Sequence, residues 1–258
     1  MSLTVGSRTH VGHVRTDNED SLIADSGVYL VADGMGGHAA GEVASRIVVD
    51  TFGDLVGRPD VHPEDVRDRM ATANQRIRDA VLQDPSRAGM GTTASGVVRV
   101  RAGGTWHWAV VNIGDSRVYR AVGGSVRRVT VDHSEVQELQ DAGLITAEEA
   151  RTHPLRNVVT RSLGGQDLPK VDLWVLPPTA GERFLVCSDG LTNEVADDEL
   201  ARVLTSEGEP QVIADELVQL ALTGGGRDNI SVIVVASDSD EAVEVDTAPR
   251  GRDGEGRG

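Results

Sequence analysis

Aromatic side chains make up only 3% of this 258-residue chain, so its core has to come from Val, Leu, Ile and Ala. Cysteine occurs once, as Cys187, which excludes an internal disulfide; inside the run RFLVCSD it reads as a small buried residue with no catalytic role. Positive charge is short. Against 41 Asp and Glu stand 25 Lys and Arg, a formal net charge of −16. That balance argues against nucleic acid or an anionic membrane as a general partner, and any phosphate-bearing ligand must find local positive charge in a metal or an arginine. No apolar run reaches the length of a membrane span, and the opening MSLTVGSRTH lacks the regions of a signal peptide, so the chain reads as cytoplasmic. Its length suits one globular domain.

What is present is a set of aspartates at the edges of apolar runs. Asp33 follows VYLVA, Asp115 follows WAVVNIG, Asp189 follows RFLVCS, and Asp228 precedes NISVIVV. Any one of them suits a turn or a cap. Spread through the chain and each tied to a strand, the four read together as one site assembled by the fold, because hard divalent ions prefer carboxylate, carbonyl and water oxygens.

Short strands are expected at 4–9, 21–25 and 28–32, followed by helices at 41–56 and from Pro63. The second helix carries Val66, Met70, Ala73, Ile77, Ala80 and Val81 at helical spacing. From 92 to 131 four strand-like segments are separated by Gly103-Gly104 and Gly123-Gly124, which predicts an antiparallel meander. A helical insert at 133–165 comes next. Strands return at 171–176 and 183–188, then helices at 197–205 and 210–222, and a last strand at 230–236. Residues 237–258, acidic and then rich in Gly and Arg, read as a disordered tail behind a single domain at 1–236. Helices grouped around antiparallel strands indicate an α+β layered fold, two packed sheets with helices outside.

The ordered set VRTDNED, VADGMGGHAAGEVAS, GMGTTA, NIGDSRVYR, DHSEVQEL, TRSLGG, CSDGLTN and GRDNISVIVV resembles the metal-dependent serine/threonine protein phosphatases of the type 2C family, in their bacterial form. Eight motifs in family order over 5–236 are far more specific than any one of them. The resemblance implies a sandwich of two antiparallel β-sheets flanked by pairs of α-helices in four layers, with the insert at about 133–165 as a helical flap beside the active site. It also implies a centre of two manganese or magnesium ions, with a third ion as an addition.

Carried over residue by residue, Asp33 matches the bridging carboxylate, Gly34 a carbonyl ligand, and Asp189 and Asp228 the remaining protein ligands. A residue without Cβ at Gly34 is expected to let its carbonyl approach an ion. Asp115 matches a ligand of the third ion. Glu19, Asp20 and Asn229 are expected to orient metal-bound water from behind the ligands. Arg15, just upstream of NED, matches the arginine that grips substrate phosphate, for which its planar fork of donors is suited. Animal relatives carry a histidine where this chain has Met35, and His38 is the candidate proton donor to the leaving group.

The implied reaction is direct hydrolysis of phosphoserine or phosphothreonine in proteins by a hydroxide bridging two ions, opposing a bacterial serine/threonine kinase. Alternatives are a phosphatase of an anti-sigma-factor antagonist and an inactive phosphoprotein-binding relative, whose mark would be a missing ligand. A calcium-binding structural domain is disfavoured because no twelve-residue loop of alternating oxygen ligands occurs.

Overall fold

Residues 2–36 and 40–237 are described in the computed structural model of the chain. Three strands open it, β1 (Leu3–His10), β2 (Asp20–Asp25) and β3 (Val28–Met35), followed by helices α1 (Ala40–Phe52) and α2 (Pro63–Gln83). Pro63 starts α2 where a missing N–H costs nothing, and the Asp65 carboxylate accepts from the His62 N–H at 2.7 Å. Then come β4 (Gly91–Thr92), β5 (Ala94–Ala102), β6 (Thr105–Ile113), β7 (Arg117–Val122) and β8 (Ser125–Arg128). The insert holds α3 (Glu135–Asp141) and α4 (Ala147–Thr152). The chain continues with β9 (Asp172–Leu176), β10 (Arg183–Cys187), the short α5 (Asp189–Thr192), α6 (Asp197–Leu204), α7 (Pro210–Gly224) and β11 (Ile230–Ser237).

Two antiparallel sheets result. One has the order β1-β11-β10-β7-β8; the other runs β2-β3-β5-β6-β9, with β4 paired to β3. Alternate residues explain why the central strands read as unbroken apolar runs. In β3, Leu30 and Ala32 pack with Val48, Met70 and Ile77 of α1 and α2, whereas Tyr29 and Val31 face Phe184 and Val186 of the other sheet. In β11, Val232 and Val234 pack under α6 and α7, and Ile233 and Val235 point between the sheets. Both faces are buried, so the period of two is present without any polar alternation. Four layers follow from these three contact zones.

The expected meander is broken in the middle. Gly103-Gly104 and Gly123-Gly124 do turn hairpins, all four with positive φ, as a two-residue turn matching strand twist requires. But β6 lies between β5 and β9 while β7 lies between β10 and β8, so the chain crosses from one sheet to the other at Gly114-Asp115-Ser116. Gly114 has φ +105°, and a Cβ there would stand 2.5 Å from Thr93 Cγ2. The first helix also ends sooner than expected, at Phe52, and continues as a 3-10 turn over Gly53–Leu55. No helix among the described residues is long and apolar enough to cross a membrane. The tail expected from 237 starts one residue later at the earliest, since Ser237 is buried and ends β11 paired with Leu3; 238–258 and the candidate proton donor His38 lie outside the described residues.

Candidate metal centre

One end of the sandwich gathers the predicted acids from both sheets. Asp20 at the start of β2 lies directly across from Asp33 on β3 in the strand register. Asp189 opens α5 just after β10, Asp228 stands two residues before β11, and Asp115 occupies the crossing between sheets. Like charges held this close oppose ionisation, and burial adds to the effect.

Asp33, Asp115, Asp189 and Asp20 respond accordingly. Burial, then the fields of Asp20, Asp189, Asp115 and Asp228, pushes Asp33 well above the usual carboxylate range. Burial followed by Asp189 and Asp132 does the same to Asp115. Asp189 is raised by burial and by Asp228, against hydrogen bonds with Asp33 and Asn193. Burial lifts Asp20 to about 7, although hydrogen bonds from Ser231 and Ser188 pull the other way. Glu19 is raised chiefly by burial.

The cluster is short of positive charge. Arg15 is bonded to it, donating to Asp228 Oδ2 at 2.8 Å, and this bond is the main reason its own pKa is raised. The Oδ1 atom of Asp20 is buried and has no partner. Among the described residues no three or more His, Cys, Asp or Glu side chains are poised around one point. An ion held here must therefore take part of its shell from carbonyl and water oxygens, which magnesium and manganese accept and a closed protein cage for zinc would not. Donor type, charge deficit and orphaned oxygen all fit a hard divalent cation.

Packing by itself requires a glycine at position 34. A Cβ on Gly34 would meet the Gly41 carbonyl oxygen at 2.2 Å and the Glu19 oxygen at 2.6 Å. A Cβ on Gly41 would in turn meet Glu19 Oε1 at 2.5 Å. The missing side chains let the first turn of α1 rest directly on β3, which fixes the Asp33-Gly34 backbone beside Glu19.

The three expected water-orienting residues separate into two kinds. Asp20, with its free oxygen, faces the cluster. Asn229 is a clamp: Nδ2 donates to the carbonyls of Val11 and Asp17, both at 3.0 Å, and Oδ1 accepts from the Glu19 N–H at 2.8 Å. With these bonds it holds the loop that carries Arg15. Glu19 also fastens the fold here, since its backbone oxygen accepts from Gly34 N–H at 3.2 Å and Ser45 Oγ at 2.6 Å.

Residues not singled out from the sequence complete the support. Thr93 Oγ1 accepts from the Asp33 N–H at 2.9 Å and shares a 2.8 Å hydrogen bond with Ser116 Oγ, tying β3 to the crossing. Ser188 Oγ donates to Asp20 Oδ2 at 2.8 Å and accepts from Ser231 N–H at 3.0 Å. His133, at the base of the insert, donates its N–H to Gly114 oxygen at 2.9 Å and accepts from Gly114 N–H through Nδ1 at 3.1 Å. With Nδ1 accepting, the ring proton belongs on Nε2, which lies 3.1 Å from Asp172 Oδ2. Burial lowers the pKa of this histidine and favours that neutral form. Thr93 and His133 lie inside the motifs GMGTTA and DHSEVQEL, and Ser188 abuts Asp189, so adjacency was the available signal.

Fold and site together define an α+β sandwich protein whose acidic end is suited to hard divalent cations. The chain belongs to the protein phosphatase 2C family, whose model matches residues 6–219. The serine/threonine protein phosphatase PstP of Mycobacterium tuberculosis is 38% identical over 245 residues, covering 91% of this chain and 45% of that protein. The chain thus spans about half the length of that relative. A crystal structure of the M. tuberculosis phosphatase PstP/Ppp superposes with a TM-score of 0.86 at 37% identity, covering 92% of this chain and all of the other. The catalytic domain of PstP in complex with two manganese ions gives a TM-score of 0.81 at 36% identity over 92% of this chain.

Proposed function

We propose that this chain hydrolyses phosphoserine and phosphothreonine in proteins with the help of two manganese or magnesium ions. Asp33, the Gly34 carbonyl, Asp189 and Asp228 would hold them, and Asp115 with Asp189 would hold a third. The observation that carries the reading is a set of five aspartates gathered from both sheets at one end of the fold, with Asp20, Asp33, Asp115 and Asp189 pushed above the usual carboxylate range by burial and by neighbouring carboxyls, and with Arg15 bonded to the fifth, Asp228. Such ions supply an acidified water as nucleophile and neutralise charge on the phosphoryl oxygens.

The protein's own part is positioning. Arg15 stands on a loop clamped by Asn229, with its side chain half exposed, so its second donor face can turn to a phosphate oxygen while the first holds Asp228. Asp20 presents an unpartnered oxygen that can accept a hydrogen bond from water at the centre. His38 is the assigned donor of the proton that the leaving alkoxide needs. The setting we assign is the bacterial cytoplasm, opposite a serine/threonine kinase.

Purified protein should release phosphate from a phosphothreonine peptide and from p-nitrophenyl phosphate with manganese, and stop when chelator is added. Calcium should not replace manganese. Absence of phosphate release with both manganese and magnesium would overturn the reading.

A further inference from the structure

Beside the acidic cluster lies a cavity of about 360 Å³ between the insert and the body of the protein. Asp115 and Asp189 line its wall on the body side, so it opens directly from the proposed centre. Its lining is polarised. Asp132 is gripped through both oxygens by Arg117, at 2.7 to 3.1 Å, and again by Arg128 at 3.3 Å, so one carboxylate answers two guanidinium groups. On the insert's side Arg151, in the last turn of α4, and Arg156, in the turn after it, face the same cavity. Neither has a carboxylate within ion-pair distance among the described residues. The cavity thus sets two arginines on the insert's side against a body side that holds Asp115, Asp132, Asp189 and Asp197, the last accepting from Tyr119 Oη at 2.9 Å, so positive charge without a carboxylate partner is confined to the insert's side.

A substrate whose phosphorylated side chain reaches the centre must lay its neighbouring residues against one wall or another, and this cavity is continuous with the centre. We infer that the cavity receives the segment flanking the phosphorylated residue, and that Arg151 and Arg156 select segments bearing a further anion, a carboxylate or a second phosphate. The inference rests on the phosphatase reading above and adds a substrate class to it. A guanidinium fork pairs with either group through parallel N–H donors, which gives direction as well as attraction.

The test uses phosphothreonine peptides matched except at one flanking position, which carries Glu, Ala, Lys or a second phosphothreonine, scanned position by position. At one or more positions kcat/KM should be about two- to fivefold higher with Glu or the second phosphate than with Ala, and lower again with Lys. A preference seen only with the second phosphate assigns the pocket to doubly phosphorylated segments. In the Arg151→Glu, Arg156→Glu double variant the ratio of acidic to neutral peptide should fall to about one or invert. Because each ratio is taken on one enzyme preparation, partial misfolding does not affect it; the wild-type preference should also shrink as salt rises. Hydrolysis of p-nitrophenyl phosphate with no flank preference at any position would overturn this inference and leave the phosphatase reading standing. A preference unchanged in the double variant would also overturn it. No hydrolysis of any substrate would strike the earlier reading instead.

Discussion

The two ends of β10 show how this protein treats an acid withdrawn from bulk water. Glu182, one residue before the strand, accepts from Trp108 Nε1 at 2.6 Å, from Thr179 N–H at 3.0 Å and from Arg120 Nε at 2.6 Å, and Arg120 spends further donors on Pro177 and Thr179. Every charge there is answered within the fold. Asp189, two residues after the strand, is surrounded by other carboxyls and is held in a state that resists ionisation. A paired buried charge serves the architecture; a crowd of unpaired ones costs stability, and it persists where a bound cation is meant to supply the difference.

Substitutions at the two ends should therefore have opposite signatures. Removing charge at the crowded end, as in Asp33→Asn, should lower manganese-dependent turnover by on the order of a thousandfold, the scale of a lost electrostatic stabiliser at a reacting centre. The same change should raise the melting temperature of the metal-free protein. An active variant, or one whose metal-free form melts lower, would erase the contrast. At the paired end, Glu182→Ala should cost about 3–5 kcal/mol in urea denaturation by stranding Arg120, while turnover per folded molecule stays the same. Loss of turnover without loss of stability would contradict it.

The pH dependence sharpens the comparison. Asp20 has a folded pKa of about 7 against an ordinary 3.8, so the folded state binds the proton more tightly than the unfolded state. That contribution is complete below about pH 4 and is lost as pH rises through 7, so metal-free protein should become less stable over this window. Asp20→Asn should lessen the slope, the rest being carried by the raised Asp33, Asp115 and Asp189, as measured by thermal denaturation in chelator. The smallest effect is expected at the arginine. Arg15→Lys should raise KM about tenfold with a lesser change in kcat, because an ammonium keeps the charge but not the fork. A KM equal to that of the wild type would remove Arg15 from substrate binding.

The sequence was informative where burial was two-sided. Runs such as VYLVA and NISVIVV marked central strands, and polar residues at their ends stood out against them. Glycine pairs announced the hairpins for the same local reason. The crossing at Gly114 was not legible, because a glycine after a strand also turns hairpins; what separates the cases is the distant pair of hydrogen bonds from His133. Thr93 and Ser188 escaped notice since a hydroxyl in a strand carries no pattern until its partner is known. The packing demand on Gly34 is not legible, because its neighbour Gly41 lies across a helix contact that spacing does not reveal.

Asn229 uses both of its amide hydrogens and its oxygen on backbone groups of the Arg15 loop. An aspartate has almost the same outline but would aim lone pairs at two carbonyls, so this fastening depends on the amide's chemistry and not on its shape. Slow hydrolysis of that single amide during storage would leave a folded, cation-loaded molecule whose loop had come unlatched. Loss of activity with age, without any loss of secondary structure, is the form such damage would take.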